Sequence, residues 1–131
     1  MTPASGPEAL TGNRRGAYTG VEEMNRELRI AVNGRALERR NPPLARLTAA
    51  SLVSSLAGQK GFQVHVIVTE PISADGFTGT LPHIVSQSGR TSPPVFDQLR
   101  FPSMAKQLGA DLLLCVNAPA PISAPAPVVV W

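Results

Sequence analysis

Two kinds of residue in this chain could do chemistry: a cluster of arginines behind the first apolar run, and a few isolated titratable groups. Asn33-Gly34-Arg35 follows the run Leu28-Arg29-Ile30-Ala31-Val32, and Arg39 and Arg40 come close behind. Guanidinium forks suit phosphate or carboxylate groups, so this loop is a candidate anion or substrate contact, with a solvated charged loop as the plainer reading. Glu70 ends the run Phe62–Val68 and could act as a base. Asp97 is more simply a helix-start carboxylate favoured by the dipole. The chain has two histidines, His65 and His83, and one cysteine, Cys115. His65 lies within an apolar run and reads as a hydrogen-bonded structural residue, and His83, after Pro82, as a surface one. Cys115 sits in Leu112-Leu113-Leu114-Cys115-Val116 and reads as a small buried hydrophobe.

Several chemistries lack their residues. With no paired cysteines and no His-x-x-x-His, a zinc site is disfavoured. Neither Gly-x-Gly-x-x-Gly nor a P-loop follows the first strand, which argues against an ordinary dinucleotide or nucleoside-triphosphate site. No Gly-x-Ser-x-Gly occurs. The sequence therefore predicts no metal and no cofactor. The net charge of +3 comes without any run of basic residues interleaved with aromatics, so nucleic acid is not an expected partner. No stretch is long and apolar enough to span a membrane, and no signal-peptide core precedes the first strand, which points to a cytoplasmic protein.

The elements that must position these residues are legible from composition. The 131 residues are 43% hydrophobic but only 5% aromatic, enough for one aliphatic core. Residues 1–24 mix Pro, Gly, Ser, Thr and charges without periodicity and are expected to be a disordered tail, leaving 25–131 as the folded unit. Strands are expected at Leu28–Val32, Phe62–Val68, His83–Ser86, Asp111–Val116 and Val128–Trp131. Phe62–Val68 is apolar on nearly both faces, as interior strands of parallel sheets are. A helix should open near Pro43, where a first-turn proline costs nothing, and end at Gly58 or Gly61. A second should cover Val95–Leu108 and stop at Gly109. Pro102 predicts either a kink there or two short helices, the second opening at Pro102. The order β-α-β-β-α-β-β predicts an α/β fold: a Rossmann-like, mostly parallel sheet with flanking helices. Ligands of such sheets sit beyond the carboxyl ends of the strands, which makes Asn33, Gly34, Arg35 and Asn117 the expected substrate-binding residues.

Four segments, in order, resemble one family. Leu28-Arg29-Ile30-Ala31-Val32-Asn33-Gly34-Arg35 is similar to the opening strand of family 4-type (group 1) glycosyltransferases. Phe96-Asp97-Gln98-Leu99-Arg100-Phe101-Pro102 resembles their aromatic–acidic–Gln helix leading to a proline. Leu108-Gly109-Ala110-Asp111-Leu112-Leu113-Leu114-Cys115 resembles their strand entry, and Pro127–Val130 their closing strand. The resemblance implies the N-terminal, acceptor-side half of a GT-B fold. Its partners would be a sugar acceptor and a nucleotide-sugar donor, with peripheral membrane association left open. The loop Arg40–Arg46 departs from the family in lacking glycine and aromatic residues. The sequence ends at Trp131, ahead of the family's usual His-Asp pair and its donor domain. The expectation is a truncated unit, inactive alone, that needs a C-terminal domain or a second chain; its catalytic residues are not assigned. The alternatives are a non-catalytic α/β partner or regulatory module, and a free-standing small-ligand-binding α/β domain.

Overall fold

A computed structural model describes residues 27–73, 76–86 and 91–131. The tail expected over residues 1–24 lies outside the described residues. Five strands form one sheet: β1 (Leu28–Asn33), β2 (Phe62–Val68), β3 (His83–Ser86), β4 (Leu112–Cys115) and β5 (Val128–Val130). Their order across the sheet is β3-β2-β1-β4-β5, and every pairing is parallel. The fold is thus α/β and Rossmann-like. Neighbouring strands progress outward from β1 to β3, and the chain then crosses to the other side of β1 to build β4 and β5. The strand order reverses between β1 and β4, and this opens a crevice beyond their carboxyl ends.

Alternation along the strands divides the core in two. Ile30, Val32, Val64, Val66, Val68 and Leu114 face one layer, covered by Ala49, Ala50 and Val53 of helix α1 (Pro43–Ala57). Pro43 holds the first helical position, where no N–H is needed, and Gly58 caps the end. Ala31, Ile67, Leu113 and Cys115 face the other layer, built by Phe96, Phe101 and Ala105. Two of the crossovers contain no helix among the described residues. The loop between β2 and β3 lays Ile72 and Phe77 against the α1 layer. The proline-rich loop between β4 and β5 lays Ala118 and Ala126 against the opposite one.

The second helical region departs from expectation. Two short helices are present, the second opening next to Pro102, but they are not separate: α2 (Pro93–Val95), a π-helical turn (Phe96–Arg100) and α3 (Phe101–Gln107) follow one another without interruption. The Phe101 N–H donates to the Phe96 carbonyl, five residues back. This wider turn has two physical consequences. It makes room for the Pro102 ring, which in an α-helix presses on the carbonyl four residues earlier. It also rotates Phe96 and Phe101 onto one face, where both are fully buried with ring centroids 6.2 Å apart. Gly109 follows at φ +70°, the left-handed conformation expected of a helix stop.

Candidate functional site

The carboxyl edge of the sheet is organised by two buried carboxylates. Asn33, the last residue of β1, has its side chain turned inward and caps the 3-10 turn Gly34–Leu37, its Oδ1 accepting from the Arg35 N–H at 3.1 Å. Its Nδ2 donates to Asp97 Oδ1 at 2.8 Å. Arg35 grips the same carboxylate with a two-pronged fork, Nε to Oδ1 at 2.9 Å and Nη2 to Oδ2 at 2.6 Å. These hydrogen bonds raise the guanidinium's pKa further, against the opposing effect of burial. Asp97 therefore does not serve as an exposed helix-start charge. It lies inside the π-helical turn, 2% exposed, and its partners stand on the opposite side of the switch point.

The second carboxylate is Glu38, in the stretch expected to be a solvated polar loop. It is fully buried. Its Oε2 accepts from the Thr69 N–H at 2.8 Å and the Thr69 hydroxyl at 2.7 Å, and its Oε1 accepts from Arg40 Nη2 at 3.3 Å. Burying a charge is tolerable only when it is paired and hydrogen-bonded, and both conditions hold here. The bonds pin the turn after β1 to the end of β2. Next to it, Glu70 Oε1 accepts from the Arg39 backbone N–H at 3.1 Å, so Glu70 braces the loop.

The three arginines that sequence places together thus separate. Arg35 is an internal structural cation, Arg39 is exposed, and Arg40 borders a polar cleft of about 590 Å³ with Thr69, Glu70, Thr91 and Ser92. The cleft lies where the end of β2 meets the start of α2. Asn33 and Gly34 are buried and form the floor of the edge rather than its lining. At Gly34 an added Cβ would stand 2.6 Å from both the Ile67 carbonyl oxygen and Val68 Cγ1, so the turn must press directly against β2. Asn117 emerges two residues beyond Cys115, the partner of Asn33 in the β1–β4 register. It is exposed, has φ 51°, and its N–H donates to the Trp131 carbonyl at 3.0 Å.

The arrangement offers guanidinium, carboxylate and hydroxyl groups for hydrogen bonding to a polar ligand. Cys115 is not an activated nucleophile: it is buried, and desolvation, with a smaller effect of the Asp97 charge, pushes its thiol up to about 11. Among the described residues, no three His, Cys, Asp or Glu side chains stand close enough to hold a metal ion, and no helix is long and apolar enough to cross a membrane. No family model, no curated protein and no solved structure matches the chain. The site's chemistry therefore rests on its own geometry. Sequence reasoning found the edge through Asn33 and Arg35 but missed Asp97 and Glu38 as its organisers.

Proposed function

We propose that this chain is the acceptor-side, Rossmann-like half of a nucleotide-sugar-dependent glycosyltransferase, and that its polar cleft receives the hydroxyl-bearing acceptor. The observation that carries this is the cleft of Arg40, Thr69, Glu70, Thr91 and Ser92 beyond the carboxyl end of β2 in an all-parallel sheet. Open α/β sheets bind ligands beyond the carboxyl ends of their strands, and this cleft lies on that edge, at the end of β2 beside the β1–β4 switch point rather than in it. Mixed cationic, anionic and hydroxyl lining matches the alternating donors and acceptors of a polyol. The four ordered segments that resemble family 4-type glycosyltransferases support the same reading. The donor and the catalytic groups would be supplied by a second domain or chain.

The test is an NMR titration of isotope-labelled protein with a panel of simple glycosides and, separately, with UDP- and GDP-sugars. Glycosides are expected to shift the amides of Arg40, Thr69, Glu70 and Ser92, and Arg40→Ala to abolish the effect. Nucleotide-sugars alone should leave these amides in place, and the isolated chain should transfer no sugar. Turnover by the chain alone, or tight nucleotide-sugar binding with no glycoside response, would refute the assignment. A non-catalytic docking module is the second reading. It is favoured by the apolar groove of Leu47, Leu52 and Trp131 beside the exposed edge residues Val129 and Val130; a stable complex with a second chain that leaves the glycoside titration blank would select it.

A further inference from the structure

The two histidines, which the sugar-transfer reading does not use, face each other. His65 of β2 is the direct register partner of His83 of β3. Their rings stack with centroids 5.0 Å apart and planes 21° from parallel. A stack of two neutral imidazoles is favourable, whereas two imidazolium ions at that separation repel. The strand that carries His83 has little else to hold it. Among the described residues, β3 is a four-residue edge strand whose sheet partner is β2. His83, Ile84 and Ser86 are exposed, and only Val85 is half-buried against the core. Segments with so little buried apolar surface open at low free-energy cost.

We propose that His65 and His83 form a proton-operated latch: the neutral pair holds β3 on the sheet, and protonation of the pair releases that edge. The exposed carboxylate of Glu27 shares a surface pocket with Gln63 and His83 and draws positive charge toward the rim of the pair, while the groups at His65 itself oppose it. Gln63 Oε1 contacts His65 Nε2 at 3.1 Å, and this polar partner carries no charge to stabilise an imidazolium. Arg29 of β1 flanks the pair, its Nη1 donating to the Leu108 carbonyl at 3.1 Å. Asp111, ahead of β4, is bound to the Arg29 backbone N–H at 2.9 Å. Burial pushes the His65 imidazole below its ordinary value, and the charges of His83 and Arg29 push the same way. A histidine with a depressed folded-state pKa binds fewer protons folded than unfolded. Its contribution to stability is therefore complete above about 6.5 and is lost as pH falls below that value. The lost stability is local, because the protons enter where the sheet is thinnest.

The experiment is native-state hydrogen exchange read by NMR between pH 7.5 and 4.5, corrected for intrinsic exchange, with the two imidazole resonances titrated in the same samples. The opening constant of the Val85 and Ser86 amides is expected to rise below pH 6.5 by up to about tenfold per pH unit for each proton taken up on opening. Core amides such as Val32 should keep their protection over the range where β3 loses it. His83→Gln removes the charge, and His83→Phe removes it while retaining a ring for stacking. Both should flatten the pH dependence and return the His65 titration toward its ordinary value. A pH-independent opening constant in the unaltered protein would overturn the proposal. So would a pH dependence that either variant leaves unchanged. The imidazole titration of the unaltered protein decides the matter even if a variant fails to fold: two independent titrations at ordinary values rule the latch out.

Discussion

Replacing Asp97 with Ala should be among the most damaging single changes in the chain, although no ligand contact is assigned to it. The substitution strands two groups. The Arg35 side chain, 19% exposed, loses the carboxylate that both its prongs grip. Asn33 Nδ2, on a residue 1% exposed, loses its acceptor. Breaking one side of a buried ion pair costs roughly 3–5 kcal/mol, and the residual exposure of Arg35 places this case near 3. An orphaned buried amide donor adds about 1 kcal/mol. Asp97→Ala should therefore lose about 3–4 kcal/mol, a large share of a small domain's stability of roughly 5–15 kcal/mol.

Urea denaturation followed by circular dichroism is the assay. With a slope of about 1–3 kcal/mol per molar, the midpoint should fall by more than 1 M. Arg35→Ala leaves a carboxylate side chain that is only 3% exposed and should cost a comparable amount. The double variant is the decisive member of the cycle. It removes both charges together and should cost at least about 1.5 kcal/mol less than the two single losses combined. A loss below about 1 kcal/mol for Asp97→Ala, or strictly additive losses, would refute the view that this cluster clasps the sheet edge.

Two further outcomes follow from the same geometry. Gly34→Ala should destabilise by about 2–3 kcal/mol in the same urea assay, because the new Cβ meets a main-chain oxygen that cannot move aside, and Val68→Ala should recover only part of the loss. Cys115 should resist thiol reagents at pH 8 until urea unfolds the protein. With its folded pKa raised from 9.0 to about 11, the unfolded chain ionises first, so stability is complete below about pH 9 and declines toward pH 11. Cys115→Ala should lack that alkaline decline.

What the sequence disclosed and what it concealed divide along a physical line. The β1, β2 and β4 segments could be read because strands buried on both faces must be continuously apolar, and the parallel sheet followed from their alternation with helices. Helix α1 could be read because Pro43 is a start signal in its own right. The π-helical turn could not. A local reading of Pro102 sees only a helix breaker, whereas the turn is set by the need of Phe96 and Phe101 to face the same layer. Asp97 and Glu38 were hidden for a related reason. The cation that pairs with Asp97 lies 62 residues away in sequence and the Thr69 groups that hold Glu38 inside lie 31 away, and a carboxylate reads as a surface residue until such partners are placed.

Those two carboxylates also explain how so small a sheet can present an ordered edge. Asp97 belongs to the helical region covering one face, and Arg35 to the turn that leads into α1 on the other. Their ion pair thus spans the point where the chain changes faces, which is also where such folds bind ligands. Glu38 makes the second tie, from that turn to the end of β2. With both ties in place, and Glu70 bonded to the Arg39 N–H, the segment from Asn33 to Arg40 is held at Asn33, Arg35, Glu38 and Arg39. A binding site needs its contact groups held by a supporting shell of packed, hydrogen-bonded side chains. Here the shell is Asn33, Arg35, Glu38 and Asp97, and the contact groups it holds in place are those of the cleft. Arg40 connects the two sets, because it lines the cleft while also bonding to Glu38. In the proposed reading, a ligand drawing on the Arg40 guanidinium acts on a group already oriented from within, and Glu38→Gln should weaken the glycoside response of the Arg40 amide in the NMR titration.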